Sequence, residues 1–243
     1  MLHLQWSKGK KLNYLFLVCI LFVSISSIAQ KEIYMEDHDI KPYYFGISLG
    51  VDRTKFHTEL DKEFLAQDSI FTAEPTNTSG FNLGLSATAR LSPRFEVRFN
   101  PQLVFLERDI LYHLKYQDLD NGLNVTKKVE SVITTFPLHI KFLSDRIGNF
   151  RVYMLAGGKI DLDLASNAQA RKADDMIKIG RSDYGVEGGI GFNFYHQSFI
   201  LSPEIKFSNG LNNLHIKNDK LNYSRVLDGI KSRMIMFTIH LEG

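Results

Sequence analysis

Alternation with a period of two is the feature that most constrains this chain. From Phe81 to Phe105 the odd positions carry Phe81, Leu83, Leu85, Ala87, Ala89 and Leu91, and the even positions carry Asn82, Gly84, Ser86, Thr88, Arg90 and Ser92. Past Pro93 and Arg94 the pattern resumes, with Phe95, Val97, Phe99, Leu103 and Phe105 against Glu96, Arg98, Asn100 and Gln102. Successive side chains of a strand point to opposite faces, so this pattern writes a β-strand with one apolar and one polar face.

Eight segments read this way: Tyr43–Asp52, Gly80–Ser92, Phe95–Glu107, Glu130–Phe142, Phe150–Leu164, Asp183–Phe194, Phe199–Ser208 and Ser232–Glu242. No segment carries a helical period. The connections alternate in length. Pro93-Arg94, Ser144–Asn149 and His196-Gln197 are tight. Arg53–Ser79, Arg108–Val129, Ala165–Ser182 and Asn209–Lys231 are long and polar. Short turns at one end and long loops at the other are the mark of an outer-membrane barrel. The fold class expected is therefore all-β, an eight-stranded antiparallel transmembrane β-barrel spanning residues 42–243.

Which face meets lipid follows from charge. Arg90, Glu96, Arg98, Lys141, Arg151, Glu187, Glu204 and Lys206 all fall on the polar face. Against lipid, an Arg or Lys at the bilayer midplane costs roughly 2–4 kcal/mol. These eight are expected to form a charge network in the barrel interior, with the apolar face toward outer-membrane lipid. Counting back from a two-residue hairpin at His196-Gln197 sets Glu187 opposite Lys206. The first hairpin sets Arg90 opposite Glu96 and Thr88 opposite Arg98. Pro101, Pro137 and Pro203 fall inside strands, where each removes a ladder hydrogen bond, so bulges or thinned pairing are expected there.

The chain begins with Lys8, Lys10 and Lys11, then an uncharged apolar run, Leu12–Ile28, ending in Ser27-Ile28-Ala29. This is the pattern of a secretory signal peptide, residues 1–29, cut after Ala29. Residues 30–41 then form a short, exposed periplasmic segment. The one cysteine, Cys19, lies in the signal, which excludes disulfides from the mature chain. The full chain has 29 Lys and Arg against 27 Asp and Glu. Without the three leading lysines it is near neutral, so no nucleic-acid partner is expected.

Chemistry-bearing patterns are weak. "AGGKID" (156–161) lacks the first glycine of a phosphate loop, and "GGIG" (188–191) is followed by no helix. Asp161 and Asp163 lack an EF-hand context, and His139 and His240 read as interior hydrogen-bonding groups. The sequons at Asn77, Asn124 and Asn222 carry no further signal. No catalytic grouping, metal, cofactor or small-molecule substrate is expected, and the chain reads as no enzyme.

At "RFNPQLVFLERDILY" (98–112) and "SPEIKFSNGLNNL" (202–214) the chain resembles the PorT/SprT outer-membrane barrels of type IX secretion and gliding motility in Bacteroidota. "YYFGISLG", "GFNLGLSATARLS", "ASNAQARK" (165–172), "YGVEGGIGF" and the closing "HLEG" extend the likeness over most of the mature chain. The resemblance implies export of proteins with a C-terminal sorting domain, and other type IX secretion subunits as partners. A small porin or a surface adhesin is the alternative.

Overall fold

The computed structural model describes residues 32–61, 70–118, 122–165, 178–217 and 222–243. The chain divides into two compact units, 1–33 and 34–243, and the fold is that of the second. Residues 1–29, expected to be a signal peptide, and most of "ASNAQARK" lie outside the described residues.

Ten strands form one antiparallel sheet: β1 (Tyr43–Leu60), β2 (Ile70–Pro75), β3 (Thr78–Arg90), β4 (Phe95–Phe99), β5 (Gln102–Asp118), β6 (Gly122–Leu143), β7 (Phe150–Asp163), β8 (Ser182–Tyr195), β9 (Ile200–Gly210) and β10 (Leu227–Glu242). β1 pairs with β10 on one side and with β3 on the other, so the sheet closes into a barrel. The eight strands expected are thus ten segments. β2 and β3 both pair with β5, and β4 and β5 both pair with β3 and β6, so the ring passes through eight positions.

The break between β4 and β5 lies at Asn100-Pro101. Phe99 pairs with Leu138 and Gln102 with Thr135, the same register on both sides of the gap. Opposite Asn100 stands Pro137, whose carbonyl accepts from the Asn100 N–H at 3.3 Å. Likewise β8 and β9 pair up to Gly191↔Glu204, resume at Phe194↔Leu201, and leave the gap at Pro203. The strand prolines therefore thin the ladder without shifting it, because a missing N–H removes a bond but not a residue.

A belt of exposed apolar side chains circles the barrel, including Tyr43, Phe45, Ile47, Leu49 and Val51 on β1 and Ile235, Phe237, Ile239 and Leu241 on β10. Cross-strand aromatic pairs knit it, among them Phe81 with Phe105 (centroids 4.8 Å apart) and Phe95 with Phe142 (5.2 Å). β7, β8 and β9 have 14, 14 and 11 residues, enough to cross a hydrocarbon layer at a tilt, for which about 9–11 suffice.

Past the belt the strands run on, contrary to expectation. Arg53–Leu60 continues β1, and most of 108–129 is the β5–β6 hairpin, paired as far as Asp118↔Gly122. The sense of the alternation reverses there. On β1, Arg53, Lys55 and Glu59 point outward and Phe56 inward. Inside this extension Phe56, Ile70, Ile110, Tyr112, Val125, Leu214, Val226 and Ile230 form a hydrophobic core. Water surrounds this part, so the apolar face turns in.

Candidate functional site

The belt region holds the polar interior. All eight charged residues singled out above lie inside the barrel, with Glu96, Arg98, Lys141, Glu204 and Lys206 essentially without solvent contact. Alternation delivers them there: each sits between two belt residues of its strand, so its side chain has no other direction.

Arg98 is the hub. Its Nη1 donates to Glu204 Oε2 at 2.7 Å and its Nη2 to Glu242 Oε1 at 2.8 Å. Glu204 Oε2 also accepts from Tyr153 Oη at 2.8 Å, and His240 Nε2 lies 3.5 Å from Glu204 Oε1. The Tyr153 ring occupies space that Gly191 leaves open: a Cβ on Gly191 would stand 2.2 Å from the ring. The Lys141 ammonium lies 4.3 Å from the centre of that same ring, a cation–π contact between fully buried groups. It also pairs with Glu96 at 3.3 Å, and Glu96 takes Arg90 at 3.0 Å and the Tyr44 hydroxyl at 2.7 Å.

A second group adjoins the first. Glu187 meets His139 at 2.7 Å and Lys206 at 3.3 Å, and Lys206 lies 4.0 Å from Glu204. The register of this hairpin differs from the count made on the sequence. Tyr195 pairs with Ile200 and the His196 N–H bonds the Phe199 carbonyl, so the loop takes four residues. Glu187 then faces Ser208, and Lys206 faces Gly189. The ion pair forms all the same, because a slip of two residues keeps the face and the lysine stem reaches diagonally. In the first hairpin Arg90 faces Glu96 and Thr88 faces Arg98, as counted.

Several interior groups were not anticipated. Tyr44, Tyr153 and Glu242 share the polar face without having been singled out. Arg108, assigned to a loop, is buried. It donates to Ser131 (2.9 Å) and Ser232 (3.2 Å), lies 3.9 Å from Asp163 and covers the Phe56 ring at 4.3 Å. A cavity of about 10 Å³ beside it, lined by Asp161, Asp163 and Asp183, has room for one water at most. Lys159 pairs with Asp161 at 2.5 Å.

Both ends are closed. At the long-connection end the hydrophobic core fills the bore. At the tight-turn end a 3₁₀ helix, Glu36–Ile40, enters the mouth. Its His38 is buried, not exposed as the sequence suggested, with its ring 4.5 Å from that of Tyr44. Burial and the nearby Arg90 guanidinium lower the His38 pKa to about 4. Arg90 donates to the His38 carbonyl at 2.5 Å. Arg146 binds Asp39 at 3.0 Å as well as the Tyr34 carbonyl, and it stacks 3.7 Å over Tyr195. Arg151 reaches Asp39 at 3.3 Å.

Among the described residues, His215 Nε2 lies 3.0 Å from Ser224 Oγ, in the buried cap of the long-connection end. Burial lowers the His215 pKa, while a backbone hydrogen bond with Asp228 acts in the opposite direction.

Residues 29–215 match the family described as outer membrane protein beta-barrel domain. No curated protein matches the chain. Among solved structures it is similar to Neisserial surface protein A, at 9% identity over 81% of this chain and 95% of that one, with a TM-score of 0.43. It is similar to the outer membrane protein OprG from Pseudomonas aeruginosa, at 16% identity over 83% and 91%, with a TM-score of 0.42. It is also similar to Ail, the attachment invasion locus protein of Yersinia pestis, at 14% identity over 84% and 100%, with a TM-score of 0.37.

Proposed function

The chain belongs to the outer membrane protein β-barrel domain family, and from that premise we propose that it is a non-enzymatic, non-conducting barrel that serves a protein-export machine. One observation carries the reading: among the described residues the interior is packed with paired charges and filled at both ends, leaving no bore for a solute. A barrel of this kind acts through its ends and its outer surface. The resemblance of residues 98–112 and 202–214 to the PorT/SprT barrels gives the machine as type IX secretion with gliding motility, and its other subunits as partners. The signal peptide is cut after Ala29, the tight turns face the periplasm, and the long connections face outward.

Deleting the gene tests this. Loss of export of sorting-domain proteins with solute uptake intact supports the reading. Loss of uptake, or stepwise conductance of the purified barrel in a planar bilayer, replaces it with a porin. Loss of attachment alone replaces it with an adhesin, a reading favoured by the β5–β6 hairpin that stands beyond the belt with Tyr116 and Leu123 exposed. Location and sidedness are read together. The mature chain should be recovered from outer membranes with Gln30 first. Cysteine at Tyr116 should label on intact cells, and cysteine at Arg94 or Gln197 only after the envelope is opened. Asp68 and Asp219, the labelling positions that the sequence offers in the connections 53–79 and 209–231, lie outside the described residues.

A further inference from the structure

The outer surface changes from apolar to charged at one level, and the charges there are segregated. On β1 the outward series Ile47, Leu49, Val51 passes into Arg53 and Lys55. On β10 the series Leu241, Ile239, Phe237, Ile235 passes into Arg233. Register places Arg53 beside Ile235 and Lys55 directly opposite Arg233. The next cation, Lys231, is taken by Glu59 at 2.8 Å. Arg53, Lys55 and Arg233 have no ion-pair partner among the described residues. At the same level on β5 and β6 the surface is acidic, with Glu107 opposite Glu130, and its cation, Lys128, is paired with Glu107 at 2.6 Å.

Like charges directly opposed across a ladder destabilise it, and nothing in the described chain offsets Lys55 and Arg233. Over the outer surface of β1, β10 and β9 lies an open groove of about 520 Å³, lined by the three cations with Asn77, Phe207 and Ile235. Phe207 and Ile235 are belt residues, more than 45% exposed, so the groove is apolar toward the membrane and cationic above it. A ligand that fits both halves carries acyl chains and an anionic head. Guanidinium groups favour phosphate, which they bind in a fork. We propose that this groove seats the phosphate of a lipid headgroup in the leaflet at the long-connection end. The proposal requires a membrane barrel and is independent of any role in secretion.

The test uses the mature barrel in neutral detergent micelles. Native mass spectrometry measures retention of lipid A bearing two phosphates, of phosphatidylglycerol, and of the same lipid A stripped of phosphate. The parent is expected to retain both phosphorylated lipids and to release the stripped one. Arg53→Gln, Lys55→Gln and Arg233→Gln combined should weaken retention tenfold or more, with Lys128→Gln on the acidic side unchanged. Lys55→Gln alone should raise the thermal midpoint in neutral detergent, because it removes an opposed charge, while losing most of the added protection that phosphorylated lipid gives the parent. That opposite pair of signs decides the matter should the triple variant fail to fold. Equal retention of the stripped lipid, retention by the triple variant within twofold of the parent, or full protection by inorganic phosphate alone would overturn the proposal.

Discussion

Arg98→Met isolates the value of the buried network. The guanidinium makes two charge-assisted bonds at 2.7 and 2.8 Å, to two carboxylates with no solvent contact. After its removal Glu242 keeps Ser202 at 3.2 Å, and Glu204 keeps Tyr153 and the more distant His240 and Lys206. Neither carboxylate is then neutralised at contact distance. Removing one partner of a buried ionic group costs about 3–5 kcal/mol, chiefly because the charge left behind is stranded. With a urea slope of about 1–3 kcal/mol/M, the unfolding midpoint should fall by about 1–5 M. The assay is the folded fraction in detergent against urea, read by the mobility of unheated samples on gels. Lys128→Met is the internal control. Its bond to Glu107, at 2.6 Å, is shorter than either of Arg98's, yet it is exposed and should contribute under about 1 kcal/mol. Adding Glu242→Gln to Arg98→Met should recover part of the loss, because one stranded charge goes. Equal midpoints for Arg98→Met and Lys128→Met would refute the reasoning that burial, rather than bond length, sets the cost.

Three further outcomes are expected. Gly191→Ala should destabilise by about 1–3 kcal/mol because its Cβ meets the Tyr153 ring, whereas Gly188→Ala, whose nearest neighbour is 3.8 Å away, should be tolerated; gel mobility against urea checks both. Exchanging Glu187→Lys with Lys206→Glu should fail to restore parental stability, since a carboxylate at 206 comes within about 4 Å of Glu204, a repulsion of about 4 kcal/mol at an effective dielectric of 20. Docking of the Glu36–Ile40 helix should weaken as pH falls: His38 titrates at about 4 when docked and near 6.5 when free, so the free form alone takes up the proton between those values, at a cost of about 1–3 kcal/mol that is complete below pH 4. Proteolysis of the Tyr34–Ile40 segment against pH reads this, and His38→Phe should flatten the profile.

What was legible in the sequence followed from parity. A strand has two faces, so a charge set between two belt residues is assigned a face by counting alone, and this placed all eight interior charges. Register needs more. The loop at His196 could close over two residues or four, and only the contact between the His196 N–H and the Phe199 carbonyl settles which. The ends of the strands were hidden by the reversal of sense at Arg53 and Glu107. There polar outward residues read as loop, and Arg108 was lost with them. The closing helix was hidden for a different reason. "EDHDI" has no periodicity, and its acidic residues gain meaning only beside Arg146 and Arg151, more than 100 residues away in sequence.

The reversal of sense also explains why this barrel holds charges where apolar packing would give more stability. A strand slipped by one residue exchanges its two faces. Were the interior apolar, the slipped form would present hydrocarbon to lipid as readily as the native one, and the membrane would not discriminate between them. With Arg98, Lys141 and Lys206 inside, a slip carries each into lipid at roughly 2–4 kcal/mol near the midplane. Above the belt the solvent is water and discrimination needs the opposite arrangement, which the chain adopts with Phe56, Ile110 and Ile230 inward and Arg53, Lys55 and Arg233 outward. The two senses are written on the same strands, so the level at which they meet fixes how deep the barrel sits. Sliding the barrel one way drags the three cations into hydrocarbon, and sliding it the other way lifts Phe207 and Ile235 into water. The cationic groove lies on that boundary.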